Sequence, residues 1–251
     1  PPIGELVAAD DLSFAQLYFD STPSRHAEAY DLLASFGDES SEYLWKVRAS
    51  EQIMESWRDD PAALEALADL ANEKATLEEV FHPEHETEVF EDPGALEDEI
   101  REGGLVILPH ARSLGWVTDR QLGEFADELD QDPQLYASLR PEALATLSYL
   151  AGIVRNESAA ERPLKVTSAV RDREYQDLLV GSNPEATDEY SLHTTGWSFD
   201  IRRDYESGEQ AAAFQYALDR LSALALIDYA VEPGAIHITA SGDGAERLLG
   251  G

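Results

Sequence analysis

The chain has 251 residues, 51 of them acidic and 18 basic, for a formal net charge of −33. Such a surplus repels nucleic-acid backbones and anionic membranes, and it describes a heavily solvated surface suited to a salty or acidic setting. The absence of cysteine excludes disulfides, thiolate chemistry and Cys-type zinc sites, and no apolar run approaches the roughly 20 residues needed to span a membrane.

Residues 1–75 read as an all-helical accessory region. Ser24 to Phe36 carries Ala27, Tyr30, Leu32, Leu33 and Phe36 on a helical period, with Gly37 as a stop. Ser40 to Trp57 repeats apolar positions at Tyr43, Leu44, Val47, Ile53, Met54 and Trp57, and Pro61 opens a third helix through Leu64, Leu67 and Leu70. Amphipathic helices joined by short connections predict a small bundle.

Residues 76–104 change character: Asp and Glu crowd between Glu78 and Glu102 among Pro83, Pro93, Gly94, Gly103 and Gly104. The stretch reads as an acidic connecting segment, with one or two helical turns over Ala95 to Arg101. Within it, His82-Pro83-Glu84-His85 has metal-ligand residue types, but Pro83 breaks the helix that would align them, so a solvated acidic loop is expected.

Residues 105–251 read as a second unit. Leu105 to Leu108 suggests a buried strand or a packed extended segment. Thr118-Asp119-Arg120-Gln121 has a capping-box pattern, and Leu122, Phe125, Ala126 and Leu129 then predict a helix. Pro141 starts a helix through Val154, Leu164 to Ser168 reads as a strand, and Arg171 to Val180 as a helix ended by Gly181. Tyr190 to Ile201 holds a polar loop and then the alternation Trp197, Phe199, Ile201 of a strand. This places His193 on the loop and Asp200 on the strand, seven positions on. A long helix over Gln210 to Ala225 precedes two closing strands, Ile227 to Val231 and Ala235 to Thr239, joined at Glu232-Pro233-Gly234. Segregated helices and strands favour an α+β fold with a mainly antiparallel sheet and flanking helices. Imidazole and carboxylate are good zinc ligands, and His237 on the last strand supplies a third to His193 and Asp200.

These residues carry a resemblance. Ser191-x-His193-x-x-Gly196-x-Ser198-x-Asp200 resembles the SxHxxGxAxD signature of D-Ala-D-Ala metallopeptidases, with Ser198 where the pattern has Ala. That family shares a superfamily with lysostaphin-type endopeptidases and the hedgehog signalling domain. Upstream, Ser168-Ala169-Val170-Arg171 resembles its strand-end Ser-x-x-Arg. Tyr175-Gln176-x-Leu178-Leu179 and Asn183-x-x-Ala186 resemble its following helix, and His237 matches its last ligand. The resemblance spans about residues 141–240 and does not reach residues 1–104.

The resemblance implies zinc held by His193, Asp200 and His237, with Arg171 facing the scissile carbonyl and Ser191, Tyr175 and Gln176 on the substrate side. The family's general base lies three residues before the last histidine, or two before it in other branches. Those positions are Gly234 and Ala235 here, which leaves Glu232 as the nearest candidate base. The implied activity is hydrolysis of a peptide bond in peptidoglycan next to a D-amino acid, by a carboxy- or endopeptidase that activates water on zinc. The partner is a peptidoglycan peptide, with no nucleic acid and no membrane insertion. The implied setting is extracytoplasmic: secreted, periplasmic or cell-wall associated. The chain starts at Pro1 without an initiator Met, so a targeting segment is expected to have been removed. The alternatives are a non-catalytic cell-wall peptide-binding module of the same fold and an interaction protein acting through its helical half. A Ser-His-Asp hydrolase fits poorly: Ser191 is only two residues from His193, and no G-x-S-x-G elbow occurs.

Overall fold

The computed structural model describes residues 12–38, 40–73, 76–182 and 190–244; the Asn183-x-x-Ala186 motif lies outside them. The N-terminal region is helical, with α1 (Phe14–Phe19), α2 (Ala27–Ser35), α3 (Tyr43–Asp59) and α4 (Pro61–Glu73) in succession. Ser13 and Gln16 close a capping box at the start of α1. Tyr30 of α2 and Trp45 of α3 both meet the Tyr216 ring edge-on, and the Arg220 guanidinium lies over Trp45 at 4.3 Å. These aromatic contacts tie the helical region to the core of the C-terminal half.

The acidic stretch 76–104 contains two helices, α5 (Leu77–Phe81) and α6 (Pro93–Glu102). Thr76 caps α5 by accepting from the Glu79 N–H; Asp92 caps α6 in the same way, and Gly103 ends α6 in the left-handed region. Between them the solvated-loop expectation fails at His82, which is buried. Its ring stacks on Trp197 with centroids 4.6 Å apart, and its Nε2–H donates to the Ala240 carbonyl at 2.7 Å. An imidazole offers flat ring faces and two polar nitrogens at its edge, so it packs well between an indole face and a strand-end carbonyl. His85 of the same motif is exposed, beside Glu86.

Two sheets follow. β1 (Val106–Ile107) pairs with β3 (Ser138–Leu139) as a short antiparallel ribbon. Leu105 and Leu108 are buried as expected, but Val106 and Ile107 between them are exposed. The main sheet comprises β2 (Trp116–Thr118), β4 (Leu164–Ser168), β5 (Ser198–Arg202), β6 (Ile227–Val231) and β7 (Ala235–Ala240), in the order β2-β4-β5-β7-β6. It is mixed: β2 runs parallel to β4, and the other pairings are antiparallel. The helix expected after Thr118 is absent; the segment forms turns and a 3-10 helix at Ala126–Leu129. Gly123 explains the break, because it holds φ +73 and a Cβ there would meet the Pro133 backbone at 2.7 Å.

Helices α7 (Pro141–Ser158), α8 (Arg173–Ser182) and α9 (Gly208–Ala223) complete the fold, and α8 runs through Gly181 rather than ending before it. α7 and α9 pack on each other, α7 against β7 and α9 against β6. Strand alternation divides the sheet into two unlike faces. Phe199, Ile201, Ile236 and Ile238 join Leu147, Leu150, Phe214 and Leu221 in the main core. The residues between them, Ser198, Asp200, His237, Thr239 and Asp228, lie on the opposite face in adjacent register, with Asp200 opposite His237 and Thr239 opposite both Ser198 and Asp228.

The 3-10 turn at Leu192–Thr195 enters β5 through Gly196 at φ +78, where an added Cβ would come within 2.8 Å of Leu105 Cδ2. Gly196→Ala is therefore expected to destabilise the protein by about 1–3 kcal/mol, seen as a lower urea midpoint at unchanged m-value.

Candidate metal centre

His193, Asp200 and His237 offer ligand atoms that all lie within 4.8 Å of one another, a cluster able to hold a metal ion. Their meeting follows from two local structures. The register of β5 and β7 sets Asp200 beside His237 on the polar face. The tight turn before Gly196 folds His193 back over the same point, and backbone bonds hold that turn on three sides. Phe90 N–H donates to the Thr194 carbonyl at 2.8 Å, Arg171 N–H to the His193 carbonyl at 3.0 Å, and Arg140 N–H to the Gly196 carbonyl at 3.1 Å. The Arg140 side chain adds Nε–H to the Thr195 carbonyl at 2.8 Å.

The donor directions test whether a cation fits. His193 Nδ1–H donates to the Ala169 carbonyl at 2.8 Å, so in the neutral ring the Nε2 lone pair faces outward. It faces Asp200 Oδ1 at 3.2 Å. His237 turns its Nδ1 to the same oxygen at 3.0 Å, while its Nε2–H donates to Glu78 Oε2 at 3.2 Å. Each ring is thus held by an acceptor at one nitrogen and presents the other to a shared carboxylate oxygen. Two neutral imidazoles and a carboxylate would bring only lone pairs to that point, and a divalent cation satisfies all three.

Electrostatics without a metal are those of a proton held in the metal's place. Burial alone would lower the His237 pKa, but its hydrogen bonds to Asp200 and Glu78 outweigh this and push it up to about 10. Burial acts to raise Asp200, yet the neighbouring His193 and His237 hold its carboxyl well below the usual carboxylate range. His193 goes the other way: burial and the positive charge of Arg171 lower it, against the pull of Asp200.

Beside the cluster lies a small, polar cleft of about 180 Å³, lined by Thr167, Ser168, Arg171, Tyr175, Glu124 and Asp200 among others. Arg171 is nearly buried. Its guanidinium donates to Ser168 Oγ at 2.6 Å and Gln176 Oε1 at 3.0 Å, and stands 3.8 Å from Asp200 Oδ2. Tyr175 lines the cleft with its ring packed against Phe125 and Tyr136. Gln176 acts from behind, as the partner of Arg171, and Ser191 is buried at the start of the His193 turn rather than on the cleft wall. Glu232 sits exposed at the β6–β7 turn, where its backbone pairs with Ala235 and its charge is felt at Arg171.

Sequence reading missed two contributors. One is Asp172, fully buried, which caps the helix carrying Tyr175 by accepting that residue's N–H at 2.8 Å and also accepts from Tyr136 Oη at 3.1 Å. The other is Glu78, which comes from a segment 159 positions away in the chain from His237. The Thr76-x-x-Glu79 capping pattern signals the start of α5, but no spacing rule connects α5 to β7. No protein-family model matches this chain, and no curated protein matches it in sequence.

The unfolded chain's histidine titrates near pH 6.5. The raised His237 pKa therefore contributes stability that is complete below about pH 6.5 and is lost as pH rises toward about 10. Urea unfolding of the metal-free chain should accordingly lose free energy across that window, and His237→Gln should flatten the dependence. Because a metal must displace the same proton, metal affinity should rise over the same pH range.

Proposed function

We propose that this chain is a zinc metallopeptidase that hydrolyses a peptide bond in peptidoglycan, next to a D-amino acid. One observation carries the chemistry: His193 Nε2 and His237 Nδ1 converge on Asp200 Oδ1, with each ring's other nitrogen tied to an acceptor. The substrate class, the D-Ala-D-Ala peptidase-like fold and the extracytoplasmic setting follow from the sequence resemblance.

His193, Asp200 and His237 would hold the ion. A zinc ion in a two-imidazole, one-carboxylate set supplies Lewis acidity and a nucleophilic water near neutral pH. The rest of the site acts through its own groups. Arg171 stays cationic beside Asp200 and donates to negative charge developing on the scissile carbonyl oxygen. Ser168 and Gln176 already hold its guanidinium, so little reorganisation is needed when that charge appears. The polar cleft takes the substrate backbone against Thr167, Ser168 and Tyr175. Glu232, exposed at the β6–β7 turn with its charge felt at Arg171, would take the proton from water and return it to the leaving amine.

A specific observation supports a second reading. The position three before His237 is Gly234, exposed in a turn, so no side chain there can serve as a base. A non-catalytic cell-wall peptide-binding module would tolerate that glycine.

Metal analysis and muropeptide digestion discriminate between the two. The purified chain should carry one zinc, lost in His193→Ala and Asp200→Ala, and should release product that those variants do not. Arg171→Ala should keep the zinc and lower kcat by about 10²–10³. Zinc with tight muropeptide binding but no cleavage would establish the binding module, and the absence of zinc would overturn both metal readings.

A further inference from the structure

We infer that Glu78, delivered by the N-terminal part of the chain, is a positioning residue of the metal centre: its carboxylate fixes His237 as the Nε2–H tautomer with Nδ1 free to ligate. The inference rests on the zinc reading above and adds a residue that the resemblance does not contain.

Helix α5 is one and a half turns long and lies against β6 and β7. Three anchors fix its position. Thr76 caps its start, Asp228 Oδ2 on β6 accepts the Glu78 N–H at 3.1 Å, and His82 just past its end is stacked on Trp197 and bonded to the Ala240 carbonyl. The Asp228 anchor is on β6 and the Ala240 anchor ends the neighbouring strand β7, so α5 is tied to two adjacent strands and cannot tilt without breaking one of them.

The side chain is held as firmly as the backbone. Glu78 Oε2 accepts from Thr239 Oγ1 at 2.8 Å and from His237 Nε2–H at 3.2 Å. Thr239 spends its one proton on Glu78, so the 2.7 Å contact between Ser198 and Thr239 is a Ser198 hydroxyl donating to Thr239. The result is a directed chain, Ser198 to Thr239 to Glu78, ending at the histidine edge remote from Asp200.

That arrangement is the second half of a metal site. A ligating histidine needs its other nitrogen protonated and held, which raises the basicity of the ligating nitrogen and stops the ring from rotating. His193 receives this from the Ala169 carbonyl. His237 receives it from Glu78, and its direct contacts with Asp200, Thr239 and Glu78 include no backbone carbonyl. Glu78 contacts the Nε2 edge of His237, whereas the metal-facing atom is Nδ1, so Glu78 acts through the ring rather than as a fourth ligand.

Two measurements test this. Zinc affinity, read by competition with a chromogenic chelator at fixed pH, should weaken by about 10–100-fold in Glu78→Ala. Affinity equal to that of the unaltered chain would overturn the role of Glu78 while leaving the metal site standing. The second measurement needs no variant. In the zinc-loaded full chain, nitrogen-15 shifts of His237 should show Nδ1 metallated and an Nε2–H proton protected from exchange. Metallation at Nε2, or a rapidly exchanging Nε2–H, would overturn the inference even if Glu78→Ala proves too unstable to titrate. A chain that takes up no zinc would overturn the underlying reading instead, and this role with it.

Discussion

Everything in the site depends on a buried carboxylate. Asp200 sits on the central strand of the sheet, is nearly inaccessible, and remains ionised. A lone carboxylate there would cost several kcal/mol or simply take up a proton. It stays charged because His193, His237 and Arg171 surround it, all within 3.8 Å. Breaking such a group by removing one partner is costly, since the remaining charges keep their desolvation penalty. The arrangement therefore demands that three distant parts of the chain arrive together: the turn at His193, the strand end at Arg171 and the hairpin strand at His237.

The sheet makes that arrival cheap. One face is a conventional apolar layer against α7 and α9, where Phe199, Ile201, Ile236 and Ile238 supply the burial that stabilises the strands. With register fixed by that face, the residues in between have no freedom to slip, because a shift of one position would send Phe199 and Ile238 to the polar side. The hydrophobic layer thus sets the position of Asp200 against His237 to within hydrogen-bond tolerance, without any contact between the two being needed to align the strands. The polar face then requires a cover of its own. The 3-10 turn of residues 192–195 covers Asp200, and α5 covers His237, Thr239 and Asp228.

This division explains what was legible in the sequence. Alternation identified β5 and β7, with β6 read as the other closing strand, and put Asp200 and His237 on strands; that both leave the apolar face is seen only in the register of β5 and β7. Helical period with Pro and Gly punctuation located α2, α3, α4, α7 and α9 closely. The Thr118 to Leu129 segment misled because its apolar spacing is helical while Gly123 must adopt a positive φ against Pro133, a tertiary demand invisible to local pattern. His82 misled for a related reason: a histidine beside proline in an acidic stretch reads as solvated, and only the tertiary positions of Trp197 and the Ala240 carbonyl bury it. Glu78 was one acidic residue among many in its stretch, and charge density conceals a single carboxylate that has a specific partner.

The boundary drawn in the sequence between helical region, acidic segment and the unit from residue 105 onward follows composition, but the contacts follow burial. Trp45 belongs to the same core as Leu221 and Ile238, and His82 closes the end of β7. An acidic chain of net charge −33 has a physical reason to combine its parts this way. Cations are scarce, and while several lie in exposed pairs such as Arg25–Asp20 and Arg101–Asp98, three sit where their surroundings shield them. Arg171 pairs with Asp200, Arg140 with Glu99 and the faces of Phe90 and Trp197, and Arg220 with the face of Trp45. Each of these arginines joins segments far apart in sequence, Arg140 and Arg220 against aromatic rings and Arg171 against the buried Asp200 carboxylate. Arg140 and Arg171 bind the turn and Asp200, the apolar sheet face sets the hairpin strands, and Asp228 and His82 fix α5 over the same point.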